Sequence, residues 1–97
     1  MKFYCYILFS QKLNKFYIGA TSVDPHERLD KHLNKKYGSD SFTAAANDWK
    51  IFHTITCDSF KQALDIEKHI KRMKSKKYIL NLVTYPEIAL KLLKKYA

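Results

Sequence analysis

Two short tyrosine-containing runs near the N-terminus hold the residue types that could do chemistry in this chain. The first is YCYIL, residues 4–8, and the second is FYIGAT, residues 16–21, so that Tyr6 and Tyr17 hold comparable positions. An arginine and a histidine follow on a predicted helix, at Arg28 and His32. Phenol and imidazole groups can exchange protons, and a guanidinium binds anions. Ordinary core packing does not require this combination.

The two tyrosine runs are predicted to form a β-hairpin. Residues 3–9 are continuous, apolar and aromatic-rich, as expected for a central strand, and residues 15–20 give a second strand. The polar link of five residues between them favours antiparallel pairing. Gly19, late in the second strand, indicates a bulge or a close approach by another backbone or a ligand.

A helix is predicted to begin at DPHE, residues 24–27, where an N-cap residue, a proline and a carboxylate follow in order. It is expected to run to about Lys36 and to end at Gly38. Arg28 and His32 are four residues apart, so they share a side of this helix beside its apolar stripe.

The rest of the chain adds one strand and two helices. Residues 39–48 predict a polar loop with a helical turn at 42–47, and residues 49–55 a third strand. A second helix is expected from an N-cap at Asp58 or Ser59 to about Lys74. After a short apolar run at 78–83, a capping box at 84–87 starts a C-terminal amphipathic helix over 85–96. The predicted fold is α+β: a three-stranded antiparallel sheet flanked by helices, in one domain of residues 1–97.

One carboxylate, Glu67, falls inside the apolar stripe predicted for the second helix. The other members of that stripe are Phe60, Ala63, Leu64, Ile70 and Met73. Because an unpaired buried carboxylate is costly, Glu67 is expected to find a cation. Two alternatives stay open: a salt bridge to Arg28 or to a lysine, and a metal ion facing the tyrosine pair.

The charge of the chain is strongly positive and uneven. The formal net charge is +9, and residues 61–97 contain ten basic and three acidic side chains. Such a field attracts polyanions, of which nucleic acid is the commonest, although a lysine-rich surface can also serve solubility alone. The candidate nucleic-acid-binding residues are Lys71, Arg72, Lys74, Lys76 and Lys77.

Several classes of site and of protein are disfavoured. Cys5 and Cys57 are too few and too far apart for a zinc knuckle or a disulfide framework, and the remaining histidines have no ligand spacing. No apolar run approaches eighteen residues, and Met1-Lys2 leads directly into a strand pattern, so neither a membrane span nor a signal peptide is expected. The chain is predicted to be cytoplasmic.

Taken in order, these motifs resemble the GIY-YIG endonuclease superfamily, especially small single-domain members related to the N-terminal nuclease domain of excinuclease C. The resemblance covers a motif core of about residues 3–83. Residues 4–6 stand where the family has Gly-Ile-Tyr, and residues 17–19 match the second motif outright. The sequence departs from the pattern twice: Tyr4 replaces the first glycine, and Ala20 replaces a lysine that some relatives carry.

The resemblance implies a metal-dependent endonuclease that hydrolyses DNA phosphodiester bonds, with repair or recombination as candidate roles. Glu67 would hold one Mg²⁺ or Mn²⁺ ion, Arg28 would bind the phosphate, and His32 would assist. Tyr17 is the favoured general base and Tyr6 orients the water or the base, although the opposite assignment stays open. A free phenol is only about 0.1% ionised at pH 7, so this base needs nearby positive charge. Supporting positions are Gly19 and Asn81.

Two other interpretations compete with the enzyme. The same fold could bind nucleic acid with little or no hydrolysis. Alternatively, the C-terminal helix could be an oligomerisation surface, because Leu92 and Leu93 are not expected to face one narrow core together. The expected partner is DNA, structured or single-stranded, with no membrane, and the chain is expected to be a monomer or a weak dimer.

Overall fold

The computed structural model describes residues 2–33 and 46–97. This part of the chain forms a three-stranded antiparallel sheet with four helices, which confirms the predicted α+β class. The elements in chain order are β1 (Phe3–Ser10), β2 (Lys15–Thr21), α1 (Pro25–Leu33), β3 (Lys50–Cys57), α2 (Phe60–Met73), α3 (Lys76–Thr84) and α4 (Pro86–Lys95).

The sheet has the strand order β2-β1-β3, with β1 in the centre and antiparallel to both neighbours. The predicted hairpin is therefore confirmed, and its register places Tyr6 opposite Gly19 and Leu8 opposite Tyr17. The pairing of β1 with β3 shifts between Ile7 and Leu8. Among the described residues β2 pairs only with β1, so no described strand covers its outer edge, which we call the open edge of β2.

The two faces of the sheet pack against different elements because side chains alternate along each strand. On what we call the helix face, α2, α3 and α4 cover an aliphatic core; its buried members are Cys5, Ile7, Ile18, Ile55, Cys57, Ala63, Ile66, Ile70, Ile79, Leu82 and Leu92. On what we call the tyrosine face, α1 and residues 46–49 cover a second cluster; its members are Tyr6, Leu8, Ala46 and Trp49, with Leu13, Tyr17, Leu29, Leu33 and Ile51 partly buried around them.

Two predicted helix starts are confirmed by their capping hydrogen bonds. At α1 the Asp24 carboxylate accepts from the backbone N–H of His26 at 2.7 Å. At α2 the cap is Ser59 rather than Asp58, since the Ser59 hydroxyl accepts from the N–H of Gln62 at 3.0 Å. The predicted extension of α1 to Lys36, its end at Gly38 and most of the turn at 42–47 lie outside the described residues.

The region after α2 differs from the prediction. Residues 78–83 belong to a helix, α3, whose N-cap Ser75 accepts from the Tyr78 N–H at 3.1 Å. The capping box predicted at 84–87 is absent, because Thr84 ends α3 and its hydroxyl donates to the Leu80 carbonyl at 3.1 Å. The predicted C-terminal helix is present as α4 and begins at Pro86.

Two predictions about packing are wrong. The buried side of α2 consists of Gln62, Ala63, Ile66 and Ile70, while Phe60 and Met73 are 41% and 45% exposed, because α2 is rotated relative to the predicted stripe. Leu92 and Leu93 both pack on the helix-face core, so the premise for an oligomerisation surface on α4 does not hold. Of the helices in the described ranges, none has the length and apolar character that crossing a bilayer requires.

Candidate active site

The two motif tyrosines stack on the tyrosine face of the sheet. Their ring centroids are 6.3 Å apart and the ring planes differ by only 8°. Tyr6 lies on the central strand and is completely buried, whereas Tyr17 lies on the edge strand and is half-buried. The two phenols are therefore adjacent, but Tyr17 is the one that solvent can reach.

Gly19 creates the space in which the Tyr6 ring lies. It stands directly opposite Tyr6 in the hairpin, and a Cβ atom at position 19 would overlap the Tyr6 hydroxyl and ring carbons. The close approach is made by a side chain and not by the backbone or ligand that the sequence predicted, and the hairpin register is continuous at Gly19, without the alternative of a bulge. The glycine of the second motif is what permits the tyrosine of the first motif to stack on Tyr17.

Arg28 lies on the helix that covers the tyrosine face. Its neighbour Leu29 packs in the same cluster as Tyr6 and Tyr17, and the Nε atom of Arg28 is buried. His32 also belongs to α1, one turn after Arg28, and its side chain is outside the part of the chain that the structure describes. The arginine and the two tyrosines therefore share one face of the sheet.

Glu67 lies on α2 and so begins on the opposite face of the sheet from the tyrosines. Its carboxylate accepts from the Lys71 ammonium at 2.6 Å, an ion pair across one helical turn. Burial is the main reason that the pKa of the Cys5 thiol is raised, with Cys57 and Glu67 adding to the effect. The charge of Glu67 thus acts on a side chain of β1 from the helix face. The cation that this carboxylate was expected to find is a lysine, Lys71.

Lys71 connects this carboxylate to the tyrosine pair. Its Nζ atom lies 5.9 Å from the centroid of the Tyr17 ring, within the range of a cation–π contact. Since α2 covers the helix face while the Tyr17 ring belongs to the tyrosine face, Lys71 must reach past the open edge of β2. One side chain therefore contacts both Glu67 and Tyr17, and these two candidate residues are connected at that edge rather than on one face.

Asn81 is not brought to this edge by any contact of the described residues. It lies on α3, half-buried, and its backbone carbonyl accepts from the N–H of Tyr85 at 2.8 Å. The Asn81 backbone thus makes a hydrogen bond that is typical of the end of a helix. The supporting role predicted for Asn81 stays a prediction.

The predicted nucleic-acid-binding residues have different local contacts. Lys74 and Lys77 are exposed, and Lys74 caps α2 in a left-handed conformation with φ 47°. The Lys76 ammonium donates to the carbonyl of Asn14 at 2.6 Å and so fastens the hairpin turn to the start of α3. Arg72 donates to the Tyr96 hydroxyl at 3.3 Å. Lys76 and Arg72 therefore have structural contacts in addition to their charge.

Shallow basic cavities meet around Lys71. One of about 350 Å³ is lined by Phe16, Tyr17, Ile18 and Lys71, and a neighbouring one of about 280 Å³ adds Lys15, Lys74 and Lys76. A third, about 650 Å³, extends along α2 with Lys68, Arg72 and Tyr96 among its lining residues. Because Lys71 lines all three, an anionic chain lying in them would pass the open edge of β2.

The side chains at this edge suit a hydrated divalent ion better than a fully enclosed one. The described residues contain no group of three or more His, Cys, Asp or Glu side chains that could hold a metal. Glu67 supplies a single carboxylate whose side chain is 16% exposed. Mg²⁺ commonly binds through one or two carboxylates, several waters and a substrate phosphate, so this donor set fits Mg²⁺ or Mn²⁺ once a phosphate is present.

The arrangement agrees with the comparison of the chain with protein families. A family model described as the GIY-YIG catalytic domain matches residues 2–79, and the chain therefore belongs to the GIY-YIG family. Proteins with this domain are generally nucleases and typically use a divalent metal. No curated protein and no solved structure matches the chain significantly.

The sequence interpretation missed the position of Lys71 in this site. It grouped Lys71 with the other lysines as a contact to a nucleic-acid backbone. A signal was nevertheless available, because Glu67 and Lys71 are four residues apart with the acid first, which is the favourable order for an ion pair on a helix. The contact between Lys71 and Tyr17 depends on the packing of α2 over β2, which spacing alone does not reveal.

Proposed function

We propose that this chain is a divalent-metal-dependent endonuclease that hydrolyses DNA phosphodiester bonds. One observation supports this above the others: the stacked tyrosine pair, made possible by Gly19, is joined to Glu67 through Lys71 at the open edge of β2. Membership in a family of nucleases gives the reaction class. The basic cavities at the same edge give a place for the substrate backbone.

The two tyrosines have different roles in this proposal. Tyr17 is half-buried and lines a cavity, whereas Tyr6 is completely buried, so Tyr17 is the phenol assigned to take a proton from an attacking water. Tyr6 is completely buried and acts as a positioning residue that holds the Tyr17 ring by stacking. This division selects Tyr17 as the general base between the two assignments that the sequence leaves open.

The phosphate and the ion are assigned to the remaining polar groups. Arg28 is on the same face as Tyr17, and its planar guanidinium can bind two phosphate oxygens at once. Glu67 would hold the divalent ion, which would neutralise charge that develops on the phosphate. His32 remains a candidate to assist beside Arg28.

DNA is expected to be held by its backbone rather than by its sequence. The cavities near Tyr17 are lined by Lys15, Lys71, Lys74 and Lys76, and lysines contact phosphates without reading bases. Structured or single-stranded DNA fits this mode equally well, and repair or recombination stay candidate roles. We expect affinity to fall steeply with salt, because each neutralised phosphate releases counterions.

A binding module without hydrolysis is the second candidate function. The observation that favours it is the ion pair at 2.6 Å, in which Lys71 already satisfies the carboxylate that a metal would need. A protein that only binds DNA could keep this pair permanently. The enzyme requires a divalent ion to replace Lys71 on Glu67 and DNA to be cut, whereas the binding module requires neither.

Cleavage assays with two substitutions test the enzyme directly. Plasmid, single-stranded and branched DNA are incubated with Mg²⁺, Mn²⁺ or EDTA, and the products are separated on gels. We expect metal-dependent cutting by the unmodified protein and a loss of about 10²- to 10⁴-fold in Tyr17→Phe, because the general base is removed while the ring stack remains. Glu67→Gln should lose activity and also lose any rise in melting temperature on addition of Mn²⁺.

The binding module predicts different results in the same experiment. Unmodified protein would bind DNA but leave it intact under every metal condition, and both variants would bind as tightly as the parent. Undiminished cutting by Tyr17→Phe would remove Tyr17 from the mechanism. Circular dichroism melts of both variants serve as the folding control.

A further inference from the structure

Lys71 contacts both the carboxylate that is proposed to hold the divalent ion, Glu67, and the tyrosine that is proposed to act as general base, Tyr17. Its ammonium is 2.6 Å from the Glu67 carboxylate and 5.9 Å from the centroid of the Tyr17 ring. A monovalent cation on Glu67 competes with any divalent cation for the same oxygen. The lysine also lines the cavity beside Tyr17 in which a phosphate would lie.

The two partners of the ion pair differ in exposure. The Lys71 side chain is 51% exposed, whereas that of Glu67 is 16% exposed. An arriving phosphate can therefore reach the ammonium without rearrangement of the backbone. Because the lysine stem is flexible, the ammonium can change partner while the helix stays in place.

We propose that Lys71 is a positioning residue that couples DNA binding to divalent-ion binding at Glu67, an inference that rests on the proposed function. Without DNA, the ammonium neutralises Glu67 and keeps its affinity for a divalent ion low. When a phosphate enters the cavity beside Tyr17, the ammonium transfers to that phosphate. Glu67 is then released to hold the ion at the place where the phosphate has just bound.

The described residues contain a second ion pair on α2 that can be compared with this one. Arg28 lies on the tyrosine face and Lys15 on β2, while the second ion pair of α2 joins Lys61 to Asp65 at 2.8 Å. Lys61 is 85% exposed, and its pair is on the same helix with the same four-residue spacing. It therefore provides a matched control in which one ammonium is removed without altering the Glu67 pair.

Binding of Mn²⁺ measured by electron paramagnetic resonance tests the coupling. The measurements use the Tyr17→Phe background, which is expected to stop turnover and keeps the ring beside Lys71, with and without a short DNA duplex. In this background DNA should raise the Mn²⁺ affinity by about tenfold or more. Adding Lys71→Met should tighten Mn²⁺ binding without DNA by roughly three- to tenfold, since a competing charge is lost, and should reduce the gain caused by DNA.

Three control variants separate this effect from simpler ones. Lys61 lines the cavity along α2, so its variant is compared at saturating DNA; there Lys61→Met should leave both the Mn²⁺ affinity and the gain from DNA unchanged. Lys71→Arg keeps the charge and should retain most of the coupling. Glu67→Gln measures the Mn²⁺ that binds to the DNA alone. Reciprocity requires that Mn²⁺ raise the DNA affinity by the same factor, which fluorescence anisotropy can measure.

The proposal is overturned if Lys71→Met binds Mn²⁺ without DNA no more tightly than its parent, or if its gain from DNA is undiminished. Lys71→Arg behaving like Lys71→Met would also contradict it, because the argument depends on charge. These results are independent of the cleavage assay. A protein that shows the coupling but never cuts DNA would refute the proposed function alone, and one that cuts DNA without the coupling would refute this inference alone.

Discussion

The helix face and the tyrosine face of the same sheet are packed with different chemistry. On the helix face, the buried side chains that the strands contribute are aliphatic apart from two thiols. The tyrosine face places the phenol of Tyr6, the indole of Trp49 and the half-buried Tyr17 beside α1. Both clusters are buried, but the buried strand side chains of the helix face carry no oxygen or nitrogen, and the buried polar side chain on that face, Gln62, comes from α2.

The side chains that mainly stabilise the fold and the tyrosines proposed to take part in the reaction therefore lie on different faces of the sheet. Aliphatic side chains stabilise a fold by burial and tolerate changes of similar volume. The stacked tyrosines depend on one exact fit, since a single added carbon at Gly19 would overlap Tyr6. The two faces meet at the open edge of β2, where the ammonium of Lys71, a residue of α2, lies close to the Tyr17 ring. We therefore expect substitutions on the two faces to have separable effects.

The largest expected effect comes from equivalent truncations on the two faces. Ile66 and Leu8 are both fully buried, Ile66 on the helix face and Leu8 on the tyrosine face opposite Tyr17. Replacing either with alanine should lower the free energy of unfolding by about 2–5 kcal/mol in urea denaturation. Cleavage per folded molecule should fall only in Leu8→Ala, because that cavity adjoins the Tyr17 ring. Equal losses of activity in both variants would show that the faces are not separable.

A smaller effect on stability is expected for Gly19→Ala. The added methyl group meets the fully buried Tyr6 ring, and such overpacking typically costs about 1–3 kcal/mol. Cleavage should also fall, since displacing Tyr6 disturbs the stack on Tyr17. The double variant Gly19→Ala/Tyr6→Leu should regain stability but not activity. An active, fully stable Gly19→Ala would contradict the role given to this glycine.

The smallest expected effect is the part of the pH dependence that comes from His69 on α2. Burial, with Lys95 and Arg72 adding to it, lowers the pKa of His69, whose ring nitrogen is 2.9 Å from the Tyr96 hydroxyl. The unfolded chain therefore binds this proton more readily, so stability is complete above about pH 6.5 and falls as the pH drops below it. Thermal melts between pH 7 and pH 5 should show a shallower loss in His69→Gln than in the parent. Parallel losses would exclude His69 as the cause.

The sheet and the helix starts could be predicted because their signals are local. Strand alternation, the five-residue link and the caps at Asp24 and Ser59 each lie within a few residues of the feature that they determine. The helix α3 was missed because residues 78–83 are apolar and partly β-branched, and its formation depends on the Ser75 cap and on burial of Ile79 and Leu82. Tertiary packing decides such short runs.

The sequence predicts the members of the candidate site but not how they are arranged. Motif order identifies Tyr6, Tyr17 and Glu67 as candidates, and the hairpin register shows that the two tyrosines share a face. The sequence interpretation expected Glu67 to face that pair directly. The structure instead separates them by the sheet and connects them through Lys71, a relation that depends on how α2 crosses β2 and that no spacing along the chain encodes.

The central claim is that Tyr17 and Glu67 belong to one metal-dependent site at the open edge of β2. It is tested most directly by a crystal structure of Tyr17→Phe with Mn²⁺ and DNA, in which anomalous scattering locates the ion. We predict Mn²⁺ on the Glu67 carboxylate, a DNA phosphate beside residue 17, and the Lys71 ammonium on that phosphate. An ion bound elsewhere, with the Glu67–Lys71 pair intact and the phosphate remote from residue 17, would contradict the claim.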